Sequence, residues 1–452
     1  MNDPVTLGLA GFGLLVVLIA IRMPIAYAMI VVGGLGTTLV DGPGRMLSQL
    51  KTLAWGQFAI YDLSVVPMFV LMGALAAHAG LSQALFRAAS AWLGRFPGGT
   101  AMAAIAACAG FGTVCGSSLA TASTMGRVAL PELRRYRFEP ALATGVLAAG
   151  GTLGILIPPS VVLIVYAIIV EANIVTMFTA ALVPGLLAVV LFLLTTALYV
   201  WLRPEAGPRA ERPRREELVS ATLGVLPVVA IFGLVLGGIY AGFYNPTPAA
   251  SVGVFLVLLY GLLTRTVGLR QLVEAIFETA RTTGMIYLIL LGAEMMKIFV
   301  SRLGLPQLTA QWALASGLEP MAVLLALLVA LIFLGCLMDS LSMILLVVPF
   351  FWPVLVELNG GVYQLAEGAG FGLSTEDLKV WFGILALIVV ELGLITPPVG
   401  MNVFVIAALA PDVPMREIFR GVAPFFGIEL VRVTLLLLWP GLTLWLPRVW
   451  AG

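Results

Sequence analysis

"LGILIPPS" at 153–160 and "LGLITPPV" at 392–399 decide how this chain is read. Each lies in an apolar run long enough for a buried or membrane helix, and each carries a glycine and two adjacent prolines. Proline removes a backbone donor and clashes with the preceding turn, at a cost of roughly 3 kcal/mol in a helix interior. Both stretches therefore read as helices broken near their middle. The break is built twice, at an offset of 239 residues (392 − 153).

Composition names the solvent around those helices. The 452 residues are 61% hydrophobic and only 10% charged, against about 25% charged in an ordinary soluble domain. Apolar runs of span length recur from Leu7 to Leu446, so the fold class expected is an all-α polytopic membrane protein. The first run, Val5 to Ala20, has no basic segment before it and no small-residue cleavage pattern after it, since Arg22, Met23 and Pro24 follow. It reads as a retained span and not as a signal peptide.

Several chemistries fall by absence. Lys51, Lys297 and Lys379 are the only lysines and none follows a glycine, so there is no phosphate-binding G-x-x-x-x-G-K loop and no nucleotide is expected. With His78 alone, a paired-histidine zinc site is impossible; in "ALAAHAGL" it reads as a helix-end residue. No nucleophile elbow is present, so an intramembrane enzyme has little to work with. Cys108, Cys115 and Cys336 show no metal spacing and read as small core residues. A net charge of +1 leaves no basic surface for nucleic acid.

Further matches surround the two breaks. Pro24 in "MPIAYAMIVVGG" resembles Pro248 in "TPAASVGVFLVL". Upstream of each double proline lies a glycine-containing polar patch, "GFGTVCGSSLATASTMG" at 110–126 and "LGCLMDSLSM" at 334–343. The second half carries an extra segment, roughly 359–375. Residues 1–201 are thus expected to form one repeat and 219–452 a second, joined by the basic stretch 202–218. Arg203, Arg209, Arg212, Arg214 and Arg215 make that stretch a solvated cytoplasmic linker.

Charge orients the repeats. "LRRYRF" after the first patch is basic, whereas the loop after the second has no Lys or Arg until Lys379. After the double prolines the pattern swaps, with no basic residue near "EANIV" and with Arg416 and Arg420 after the second break. By the positive-inside rule the corresponding loops lie on opposite sides, so the repeats are inverted.

Matched broken helices in inverted repeats are a signature of secondary transporters. Lipid cannot satisfy the amides and carbonyls that a break frees, so the break must face protein or a wet cavity. Unwound carbonyls there suit a cation, and half-helix N-termini suit an anion. The first patch adds Ser117, Ser118, Thr121, Ser123 and Thr124, with Gly116 to bend the chain; close helix packing by small residues is the plainer use of such a patch. Each patch is read as the tip of a re-entrant hairpin, at about 101–131 and 322–356, with the broken helices at about 141–170 and 380–410. Asp339, beside Ser340 at the second tip, is read as a cation ligand, because a carboxylate at mid-membrane costs roughly 2.5–3.5 kcal/mol. Glu391, the pair Glu294 and Lys297, and the pair Glu429 and Arg432 are read as structural.

The order "GSSLATASTMGRVALPEL", "AAGGTLGILIPPS", "LGCLMDSLSM", "LGLITPPVGMNVFVIAALAPDVPMREIFRGVAPF" resembles the large membrane subunit of tripartite ATP-independent periplasmic (TRAP) transporters over essentially the whole chain. The resemblance implies an elevator-type secondary transporter in the bacterial inner membrane, driven by sodium ions. It implies import of an organic anion, such as a dicarboxylate or sugar acid, delivered by a periplasmic substrate-binding protein, and a separate small membrane subunit as partner beside membrane lipid. It places the sodium and substrate region on Gly116, Ser117, Ser118, Thr121, Thr152, Gly154, Pro158 and Pro159 in the first half. In the second half it places it on Asp339, Ser340, Gly393, Thr396, Pro397, Pro398 and Asn402. A sodium-coupled elevator carboxylate transporter acting alone shares every one of the residue patterns; transport without a binding protein would mark it.

Overall fold

A computed structural model describes residues 3–209, 214–361 and 370–451. Among them every regular element is helical. Seven helices are long and apolar enough to cross a membrane, or eight if the bent pair Pro140–Leu156 and Val161–Val170 counts as one span. The outer faces carry Leu9, Leu35, Leu39, Leu194, Phe255 and Phe277 exposed, as expected where lipid replaces water. The expected insertion at 359–375 falls partly on 362–369, outside the described residues.

Two helical hairpins and two broken helices form the centre. The first hairpin pairs Gly99–Cys115 with Ser118–Arg135, and the second pairs Pro320–Gly335 with Ser340–Leu358. The first broken helix is Pro140–Leu156 followed by Val161–Val170, bent by 44° at the break. The second is Thr375–Gly393 followed by Met401–Leu409. Both hairpins run a few residues longer than the sequence suggests and the second broken helix starts five residues earlier, whereas the first broken helix agrees to within one residue. Ser340–Leu358 is long enough to cross a membrane on its own, and Ser118–Arg135 continues through Pro131 to its basic last turn.

Local chemistry explains where the helices stop and restart. Gly116 closes the first hairpin arm in the left-handed region at φ 61°, a conformation cheap only for glycine. Ser117 is extended and caps the next arm, its hydroxyl accepting from Ala120 N. Ser160 caps Val161–Val170 through Leu163 N at 3.3 Å, and Asp339 caps Ser340–Leu358 through Ser342 N at 3.1 Å. Such caps satisfy amides that a helix start leaves free. The Pro158–Pro159 and Pro397–Pro398 peptide bonds are both cis.

Glycine contacts lock these elements together. A Cβ on Gly112 would lie 2.6 Å from the Gly154 Cα, so hairpin arm and broken helix touch backbone to backbone. The same contact recurs in the second half, where a Cβ on Gly393 would lie 2.7 Å from the Gly335 Cα. Every residue from Ala141 to Leu156 is buried. Flanking this centre, Val65–His78 packs on Pro246–Leu263, and Leu269–Arg302 packs on Ile25–Asp41.

The stretch 202–218 is not wholly the solvated loop expected. A short 3-10 turn at Pro204–Ala206 docks on the centre: Gly98 N donates to Gly207 O at 3.1 Å and Glu139 N donates to Ala206 O at 3.0 Å. Helix Arg215–Tyr240 then begins, and 210–213 lie outside the described residues. The expectation misses this because the hydrogen bonds are accepted by two backbone carbonyls, which residue types do not reveal. His78 is the last residue of its helix, as its sequence suggests.

Candidate functional site

Four helix starts converge on one cavity of about 380 Å³. Its lining includes Ser118, Val161, Ser340 and Met401, the first residues of the second hairpin arms and of the second halves of both broken helices. Helix N-termini carry free amides and a partial positive charge, and favour anions. The opposite wall is Val70, Gly73, Ala74 and Ala77 with Glu278, Thr282, Met285 and Ile286. The lining holds two carboxylates, Asp339 and Glu278, and no lysine or arginine.

Oxygen atoms crowd the breaks beside this cavity. A Cβ on Gly154 would meet Thr121 Oγ1 at 2.5 Å and the Ser117 carbonyl oxygen at 2.8 Å. Thr121 Oγ1 is buried and without a hydrogen-bond partner among the described residues. Gly116 faces the Pro159 carbonyl oxygen, 3.3 Å from where its Cβ would be. In the second break, Gly400 at φ 67° faces the carbonyl oxygens of Thr396 and Leu394 at 3.2 and 3.3 Å in the same sense. Donor sets made of hydroxyls and carbonyls suit hard cations.

Glu391 joins the tips. Its side chain, 1% exposed, accepts from Ser118 Oγ on one carboxylate oxygen and from Ser340 Oγ on the other. One residue of the second broken helix thus ties both hairpins. Asn402 ties the broken helices to each other: its Nδ2 donates to Ala148 O at 3.2 Å, and its Oδ1 has no partner among the described residues.

The family model for the tripartite ATP-independent periplasmic transporter, DctM component, matches residues 12–442. The chain belongs to that family. It is accordingly a transporter permease and not an enzyme, and a multi-pass protein of the bacterial inner membrane. It is 32% identical to the C4-dicarboxylate TRAP transporter large permease DctM of Pseudomonas aeruginosa, over 87% of each chain. It is 30% identical to the sialic acid TRAP transporter large permease SiaM of Vibrio cholerae, over 98% of each. An isethionate TRAP permease, DctMQ of Oleidesulfovibrio alaskensis, is 27% identical over 93% of this chain and 63% of its own. Among solved structures, the fold is similar to the Alcanivorax borkumensis YdaH transporter, with a TM-score of 0.61 and 16% identity over 89% of each chain.

In this DctM-family chain the expected site residues divide into three groups. Gly116, Ser117, Ser118, Asp339 and Ser340 line the cavity. Thr121, Gly154, Pro159 and Asn402 stand directly behind it through the contacts above. The remainder do not line it. Thr152 donates to Ala149 O and Thr396 to Leu392 O, both at 2.6 Å, as back-bonded helix hydroxyls do. Pro158 is buried, Pro397 and Pro398 are exposed, and Gly393 is held against Gly335. Asp339 is committed to capping, since it accepts from both Ser342 N and Ser342 Oγ.

Glu391 is the residue that sequence reasoning leaves aside as structural. The offset of 239 that aligns the breaks also aligns Glu391 with Thr152 (391 − 152), a carboxylate in one half where the other has a hydroxyl. That mismatch is a signal for it. The other four held as structural form pairs: Glu294 and Lys297 at 3.4 Å, Glu429 and Arg432 in a buried bridge.

Proposed function

We propose that this permease imports an organic anion bearing a carboxylate, driven by sodium ions and supplied by a periplasmic substrate-binding protein, together with a small membrane subunit. The observation that carries the reading is the convergence of four helix starts on one cavity whose side-chain charges are all negative. Backbone amides at the helix starts Ser118, Ser340 and Met401, with the Ser117 hydroxyl, suit a carboxylate. Asp339 and Glu278 oppose its charge, so the anion is held well only when cations enter with it. The oxygen-lined breaks at Gly154 and Gly400 are where those cations would be taken. The negative lining supports coupling to a cation, which this reading takes to be sodium.

The two hairpins and two broken helices form the moving body in this reading, and the flanking helices form a fixed frame. The paired contacts Gly112 with Gly154 and Gly335 with Gly393 support the inverted repeat and a body that moves as one. Relatives named for C4-dicarboxylate, sialic acid and isethionate transport all take acids. The test is uptake into proteoliposomes holding this chain and its small subunit, with and without a sodium gradient and the purified binding protein. Uptake that needs both is expected. Uptake with sodium alone would remove the binding protein, and uptake indifferent to sodium would remove the coupling.

A further inference from the structure

We infer that Glu391 is a positioning residue that fixes the hydroxyls of Ser118 and Ser340, one from each hairpin tip, as ligands for the coupling cation. The inference rests on the sodium coupling proposed above. Each serine hydroxyl has one hydrogen and two lone pairs. Ser118 Oγ gives its hydrogen to Glu391 Oε2 and Ser340 Oγ gives its hydrogen to Oε1. With its hydrogen so committed, each hydroxyl has only lone pairs left to offer. Both serines line the cavity, and both are otherwise buried. An alkali cation needs lone pairs and is repelled by a hydroxyl hydrogen, so the carboxylate behind the serines selects the rotor state that a cation can use. Groups that orient metal ligands from behind matter nearly as much as the ligands.

Two further observations favour a functional over a packing role. Among the described residues no cationic side chain pairs with Glu391; the nearby Arg432 is taken up by Glu429 and by Pro184 O. When ionised, a buried carboxylate held only by hydroxyls places a negative charge close to the tips; burial disfavours that charge, and a cation bound there would offset it. The matching position in the first half, Thr152, hydrogen-bonds within its own helix and to neither tip among the described residues. The carboxylate is therefore not something that the repeated architecture needs in order to pack.

Glu391→Gln tests this, because glutamine cannot accept from both serines. Its amide nitrogen must donate to one hydroxyl, taking a lone pair and turning that hydrogen outward. In reconstituted uptake, half-saturating sodium should rise by about tenfold or more, while the maximal rate at saturating sodium falls less. Sodium should also lose its ability to raise the thermal stability of the detergent-purified variant. An unchanged half-saturation in E391Q, against a sodium-dependent wild type, overturns the role of Glu391 alone. A wild type indifferent to sodium instead sinks the coupling beneath it. If E391Q fails to reach the membrane, Glu391→Asp is measured the same way; it keeps the charge but reaches one hydroxyl, and a wild-type half-saturation in that variant overturns the inference equally.

Discussion

Arg432 lies fully buried in helix Met415–Leu438, donating twice to Glu429 and once, at 2.9 Å, to Pro184 O. Glu429 Oε1 remains without a partner among the described residues. Breaking such a pair from one side strands a charge, at about 3–5 kcal/mol, whereas replacing both members by apolar groups is often far milder. Arg432→Met should therefore lower thermal stability more than the double variant Glu429→Leu with Arg432→Met. A single variant as stable as the double would show the pair to be inert. The pairing of these two was legible from their three-residue spacing, but the Pro184 carbonyl was not, because it arrives from 248 residues away. Glu391 escaped for the same reason, its serine partners lying 273 and 51 residues off in sequence. Asp339 was legible as a residue at a hairpin tip, yet its capping of Ser342 is a local geometry that a cation-ligand reading passes over.

The broken helices show what a single glycine contributes to an element. At Gly154 a methyl group would meet Thr121 Oγ1, the Ser117 carbonyl oxygen and Thr121 Cβ, none of which is the free end of a long side chain. Gly154→Ala should cost about 1–3 kcal/mol by overpacking and should raise half-saturating sodium, because the methyl fills the oxygen-lined gap. Gly233→Ala is the control: nothing lies within 4 Å of its added carbon, and alanine is the better helix former by about 1 kcal/mol. Both variants are read by thermal unfolding in detergent and by sodium titration of uptake. Equal behaviour of the two would mean that the gap at Gly154 has no part in ion binding. The breaks themselves were legible because glycine and double proline act on the backbone directly, independent of neighbours. Helix ends were less so: Ser118–Arg135 and Thr375–Gly393 outrun the apolar stretches that revealed them.

At the scale of the whole molecule there is a second space of about 1390 Å³, lined by Gln83, Arg87, Arg127, Arg135 and Arg214 among others. Thr124 lines the first space and Arg127, one turn on, lines the second. Access to the cavity from this arginine-lined end, which the positive-inside rule makes cytoplasmic, is therefore the expectation to test. With Cys108, Cys115 and Cys336 replaced by alanine, Thr282→Cys should react with a membrane-impermeant maleimide in inside-out vesicles and not in right-side-out ones. Substrate with sodium should slow the reaction. Labelling from the outer face alone would reverse the orientation.

The backbone attachment of Ala206 and Gly207 to the base of the first hairpin sets a length scale for such movement. Only the chain from Gly207 to the start of helix Arg215–Tyr240 joins the two, and eight peptide units extend to at most about 29 Å. If the hairpins travel against the frame, the reach of this connection caps the stroke. Lengthening it would leave binding alone and loosen the limit of travel; shortening it would halt transport before a single ligand atom had been touched.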